Sequence, residues 1–348
     1  MAWESFGRMD GRNMEHRSLG AGFSRVLFEE LSRLVWRRFH LDSPVRFAAL
    51  VGMLAGLVSV AGLLERGGYA GDFTWAWRAA RLWLAGRDPY LDPGLHPIFP
   101  YPFDAPLLYP MPAVVIALPF ALLPAWMAGT AFFALSAGTL AYVIARTERW
   151  HLLPLFLSAP FYVAATVAQW SLLIVAAALA PGLAFLALAK PNIGLPMLAV
   201  YGNREGWKRA ALFAVLTVPL LPTWPLGWWH NLRSEPSYPV PLFVFPGALL
   251  VLAVLAWRDP GARLLLALAC MPQRLWFYDQ LPLWLLCRTW QQGTMLAIAS
   301  WIGYWGWRLS PGQYAWEGSS PATAPIWVVS FLYLPALALV LYSRYRSR

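Results

Sequence analysis

The stretch 47-FAALVGMLAGLVSVAGLL-64 decides the fold class, because it carries no ionisable side chain over eighteen residues. As a helix it is about 27 Å long, close to the thickness of a bilayer's hydrocarbon core. Apolar runs recur at about 105–145, 152–201, 210–229, 240–257, 264–287, 293–307 and 325–342. The composition fits such a chain. Of its 348 residues 59% are hydrophobic and 13% charged, and mean hydropathy is +0.50, where soluble domains are about one quarter charged. The expectation is an all-α, polytopic transmembrane bundle of about eight to twelve membrane segments. An N-terminal amphipathic segment, 1–45, precedes a single transmembrane domain, 46–348.

The net charge of +10 comes almost wholly from arginine in joints and tails, the pattern of the positive-inside rule rather than of a nucleic-acid-binding surface. The joints Arg146–Arg149, Arg204–Arg209, Arg258–Arg263, Arg288 and Arg344–Arg348 are assigned to the cytoplasm, and with them both termini. The segment 24-SRVLFEELSRLVWRRF-39 reads as an amphipathic helix on that membrane surface, not as a cleavable signal. On the outer face fall a long first loop, about 66–104, and the segments 230-HNLRSEPSYP-239, 272-PQRLWFYDQ-280 and 308-RLSPGQYAWEGSSPATA-324. Residues 106–123 are expected to be re-entrant or interfacial. The proline-broken run 181-PGLAFLALAKPNIGLPML-198 implies backbone that is buried or lines a wet cavity. Cys270 and Cys287, both in apolar segments, read as buried free thiols. No inverted repeat is visible.

Outside the N-terminal tail, carboxylates concentrate in the first outer loop: Asp72, Asp88, Asp92 and Asp104. Asp72 is placed at the outer interface, before a short helix over 73–86 whose tryptophans sit at headgroup level. Arg78 and Arg81 are expected to face lipid headgroups or a lipid phosphate. Asp72 also reads as a helix cap, and 88-DPY-90 as an ordinary turn. Lys190, one of two lysines in the chain, is a cation between apolar runs that needs an anion or an interface. A lipid phosphate and snorkelling both satisfy it. Gln169, Tyr109, Tyr278 and Asp279 can hydrogen-bond sugar hydroxyls, although interfacial tyrosines are often anchors and a lone glutamine often ties helices together.

Four segments occur in order: 71-GDFTWAWRAARLWLAGRDPYLD-92, 109-YPMPAVVIALPFALLP-124, 168-AQWSLLIV-175 and 189-AKPNIGLPML-198. Together they resemble the polyprenol-phosphate-sugar-dependent glycosyltransferases of the GT-C superfamily, glycosyltransferase family 87 in particular, which includes bacterial mannosyltransferases. The sequence departs from that pattern in four places, one being a connection between Gln169 and Lys190 that is shorter than the pattern implies. Tyr109-Pro110-Met111-Pro112 stands for adjacent prolines, Ala168 for a glycine, and Gln273, Tyr278 and Asp279 occupy a turn that often carries histidine.

The resemblance implies inverting transfer of mannose, or another hexose or pentose, from a polyprenyl-phosphate donor to a lipid or glycan acceptor. The reaction would take place at the outer face of a bacterial plasma membrane. Asp72 matches the acidic position and becomes the expected base. Lys190, Arg274, Arg78 and Arg81 become candidates for the donor phosphate, and Gln169, Tyr90, Tyr109, Gln273, Tyr278 and Asp279 for the sugar. No cofactor and no nucleic-acid partner are expected, and neither a bound nucleotide nor a structural metal is indicated, as no glycine-rich phosphate loop or Cys/His cluster occurs. The rival readings are a lipid-linked-sugar flippase or small-solute transporter, and an inactive GT-C-like scaffold.

Overall fold

The computed structural model describes residues 43–91, 105–234, 238–311, 316–317, 320–321 and 323–346. The segment 24–39, Asp92 and Asp104 lie outside the described residues. The chain divides into two units, Met1–Phe47 and Ala48–Arg348. Of the first, only residues 43–47 are described, ending in the first turns of helix α1 (Pro44–Glu65).

The remaining helices follow in chain order as α2 (Thr74–Leu84), α3 (Met111–Ala117), α4 (Ala125–Arg146), α5 (Ala159–Thr166), α6 (Ser171–Leu179) and α7 (Pro191–Tyr201). Then come α8 (Arg204–Thr217), α9 (Trp224–Ser234), α10 (Pro260–Cys270), α11 (Trp290–Leu309), α12 (Ala324–Val328) and α13 (Leu334–Arg346). A π-helical turn, Val329–Tyr333, joins the last two. The only strands among the described residues are the two-residue pair Trp316–Glu317 and Ser320–Pro321, so the chain is helical.

Three helices among the described residues are long and apolar enough to cross a membrane: α1, α4 and the continuous stretch Ala324–Tyr345, each 22 residues. The other apolar runs are divided into shorter helices and 3-10 segments. Proline is the physical reason, since it lacks an N–H and suits a first helical turn but breaks an established one. The run 152–201 is cut into the 3-10 segment Trp150–Leu157, α5, α6, the 3-10 segment Pro181–Ala189, and α7. The run 264–287 becomes the latter part of α10 and the 3-10 segment Phe277–Leu286. Residues 111–120 form only α3 and one 3-10 turn, about 15 Å of helix and too short to span.

The outer surface is greasy in stripes. Leu54 and Leu57 on α1, Val215 and Leu216 on α8, Leu252 and Leu255 on the 3-10 segment Gly247–Ala256, and Ile298 and Ile302 on α11 are all exposed. Apolar patches of this extent mark contact with lipid or protein rather than water. Both cysteines are free; Cys287 is buried, while Cys270 is exposed where the sequence placed it inside.

α1 and α4 run antiparallel along small residues, with Gly52 and Gly56 against Ala134 and Leu63 against Gly129. The segment after α1 therefore packs at the start of α4, where Phe73 stacks on Phe132 with ring centroids 4.1 Å apart. From Phe132, α4 then carries the chain about 21 Å to Arg146. At that far end Tyr201 has Asp259, Arg149, Arg263 and Arg288 within electrostatic reach. Joints distant in sequence thus gather at a basic pole, with Asp72 at the opposite end of α4.

Candidate functional site

The site begins at a break in the backbone. α5 stops at Thr166, Ala168 takes a left-handed φ of 49°, and the Gln169 N–H turns back to the Ala164 carbonyl at 3.0 Å. Glycine adopts that left-handed backbone more readily than alanine does. Onto this break docks the turn before α2. The Asp72 N–H donates to the Val167 carbonyl at 2.7 Å. Gly71 is obligatory there, with a φ of 60° and a Cβ position only 2.4 Å from the Val167 oxygen.

The docking sets Asp72 against Gln169, whose Nε2 donates to Asp72 Oδ2 at 2.6 Å. Gln169 Oε1 accepts from the Trp170 N–H at 2.8 Å and from Lys190 Nζ at 3.2 Å. Lys190 Nζ also donates to both oxygens of Asp279, at 2.6 and 2.7 Å. A continuous polar string, Asp72–Gln169–Lys190–Asp279, therefore joins the turn before α2, the α5–α6 break, the start of α7 and the 3-10 segment Phe277–Leu286. Close approach at Gly194, whose Cβ position would lie 1.9 Å from the Ala187 carbonyl oxygen, brings α7 down on the segment that carries Lys190.

Burial grades along the string. The Asp279 side chain is wholly enclosed and that of Lys190 is 12% exposed, whereas Asp72 is half-buried. The Asp72 end is thus the more exposed of the two. Asp72 Oδ1 makes no hydrogen bond among the described residues. Tyr278 lies beneath the ammonium, its ring centroid 5.3 Å from Lys190 Nζ. Its hydroxyl has a long contact of 3.5 Å with the Arg274 guanidinium, and Arg274 is close enough to Asp72 to feel its charge.

Trp170 forms an aromatic floor with Phe132, Phe73 and Tyr109, at centroid distances of 4.6, 5.7 and 5.7 Å. The Trp170 indole N–H and the Ser171 hydroxyl are buried without a hydrogen-bond partner among the described residues.

The structure corrects several expectations. Asp72 does not cap α2, whose N-cap is Phe73 and has no side-chain cap bond. The Lys190 charge is not isolated, because Asp279 is its counter-ion. Arg78 and Arg81 turn inward rather than to lipid. Arg78, 3% exposed, donates to the Ala105 carbonyl at 3.0 Å. Arg81 donates to the Ala121 carbonyl at 2.8 Å and covers Trp77. α2 packs against α3, so its arginines meet carbonyls left unpaired by the 105–110 stretch and the 3-10 turn.

Tyr90 donates its hydroxyl to the Tyr109 carbonyl at 3.1 Å. Burial, and secondarily Asp88, hold its phenol well above the usual range, so it remains a neutral donor. Asn231, which the sequence reading passed over, bridges the Tyr90 and Leu107 carbonyls at 3.3 Å each. Asp88 is occupied by the Tyr90 N–H and the Thr223 hydroxyl. Gln273 is fully buried and bonds the Leu268 carbonyl and the Tyr333 hydroxyl, with Gln280 donating to its Oε1. The string thus gathers Asp72, Gln169, Lys190 and Asp279, with Tyr278, Arg274 and Tyr109 around it. Tyr90, Arg78, Arg81 and Gln273 are engaged elsewhere.

No protein-family model, curated protein or solved structure matches this chain.

Proposed function

We propose that the chain is a polytopic membrane glycosyltransferase that moves a sugar from a polyprenyl-phosphate donor to a lipid or glycan hydroxyl. The reading places it in a bacterial plasma membrane, with the Asp72 pole outside and both termini in the cytoplasm. One observation carries it: a half-buried carboxylate, with one oxygen anchored and the other without a hydrogen bond among the described residues, stands two hydrogen bonds from a lysine ammonium. That arrangement serves a single displacement. Asp72 Oδ1 takes the acceptor's hydroxyl proton as its oxygen attacks the anomeric carbon, and the bond from that carbon to the phosphate oxygen breaks with inversion. The departing lipid phosphate gathers negative charge, which Lys190, with Arg274 nearby, stabilises. Gln169 keeps Asp72 in position by donating to the other oxygen. The resemblance of the four ordered segments supports the same chemistry.

The buried Lys190–Asp279 pair gives a second reading some support, since paired charges inside a membrane protein also line transport pathways. Purified protein reconstituted with a polyprenyl-phosphate hexose and a mixed pool of lipid and glycan acceptors separates the two. The proposal expects mass spectrometry to find a new glycoside and free polyprenyl phosphate. Movement of intact donor across the bilayer without any glycoside would establish the transporter instead.

A further inference from the structure

At the basic pole a cavity of about 660 Å³ is lined by Trp257, Arg258, Asp259, Arg288 and Arg344 among others. Three guanidiniums against one carboxylate leave a net charge of +2 (3 − 1) on these residues. The carboxylate is already committed: Asp259 Oδ1 caps α10 by accepting the Gly261 N–H at 2.8 Å, and Oδ2 pairs with Arg288. Arg344 reaches the Leu255 carbonyl. Arg258 is exposed and makes no hydrogen bond or ion pair among the described residues. Beside the cavity the 3-10 segment Gly247–Ala256 exposes Leu249, Leu252 and Leu255, at 49%, 44% and 57%, and Trp257 follows at 57%.

Solvated arginines at a membrane surface would explain the charge alone. They would not explain a cavity of ligand size, within the roughly 300–1,000 Å³ typical of small-molecule sites, bordered by exposed leucines. We propose that this cavity holds the phosphate of an anionic phospholipid. Arginine's planar fork matches phosphate oxygens, the acyl chains run along the leucine stripe, and Trp257 sits at headgroup level. The volume exceeds what a bare phosphate ion fills, which favours a lipid as its source. This inference does not depend on the chemistry at Asp72, and its test reads no sugar transfer.

The experiment uses the full chain purified in detergent, with dioleoyl phosphatidylglycerol, dioleoyl phosphatidylcholine or inorganic phosphate added separately. Native mass spectrometry reads retained lipid, and thermal unfolding reads stabilisation. Phosphatidylglycerol should be retained and raise Tm, phosphatidylcholine much less, and inorganic phosphate not at all at equal concentration. Arg258→Gln, which removes no hydrogen bond or ion pair among the described residues, should weaken retention several-fold, and Arg258→Gln/Arg344→Gln by about tenfold or more. Lys208→Gln, on the exposed face of α8, should change nothing. Equal retention of the two lipids, undiminished retention by both arginine variants, or equal stabilisation by inorganic phosphate would overturn the proposal.

Discussion

At the residue scale, Lys190 and Asp279 behave as one unit. Removing one member of a buried ion pair leaves an uncompensated charge and costs about 3–5 kcal/mol, whereas replacing both with apolar groups is often near neutral. Lys190→Met and Asp279→Leu should therefore each lower unfolding stability by about that amount, and the double variant should recover most of it. The proposed role in phosphate binding adds a distinct expectation. The double variant, stable again, should bind polyprenyl-phosphate sugar at least about tenfold more weakly, following the loss of a charge-assisted contact. Wild-type donor affinity in that variant would leave Lys190 a structural residue only. Lys190 stood out in the sequence as a cation between apolar runs, Asp72 as one of the carboxylates gathered after the first run, and Gln169 as part of one of the four ordered segments. Their connection was not legible, since Lys190 and its counter-ion lie 89 positions apart, and hydropathy carries no signal of which charges meet.

At the scale of elements, the site depends on one turn docking against one helix break. Gly71→Ala would push a methyl into the Val167 carbonyl and force a left-handed φ on a residue with a Cβ. It should cost more than about 2 kcal/mol and, by moving Asp72 off Gln169, reduce any sugar transfer further than the stability loss alone explains. Ala168→Gly, in contrast, relieves a strained φ while adding unfolded-state entropy. Its unfolding free energy should stay within about 1 kcal/mol of wild type, read by denaturant or thermal unfolding. The prolines that segment the chain were plain in the sequence, which is why 181–198 was expected to be broken. The resulting short helices and 3-10 segments were not, because an apolar run has the same composition whether it spans a membrane whole or in pieces. The inward turn of Arg78 and Arg81 escaped for a related reason, as it depends on carbonyls that only the folded loop supplies.

At the scale of the whole molecule, positive-inside bookkeeping sent the arginine joints to one side, and the structure brings Arg149, Arg263 and Arg288 to one pole. If that pole is cytoplasmic, a membrane-impermeant maleimide added to intact cells should label Glu65→Cys but not Arg149→Cys, both in a Cys270→Ser/Cys287→Ala background. The reverse pattern would place Asp72 inside and deny it a donor and acceptor at the outer face. The central claim is that the polar string at the Asp72 pole performs sugar transfer, and Asp72→Asn tests it most directly. Asparagine keeps the shape and can still accept from Gln169, but it cannot take a proton at neutral pH. Sugar transfer from a polyprenyl-phosphate donor should fall by about 10²-fold or more, the usual contribution of a general base, with Tm and donor affinity close to wild type. Transfer by Asp72→Asn at the wild-type rate would contradict the account.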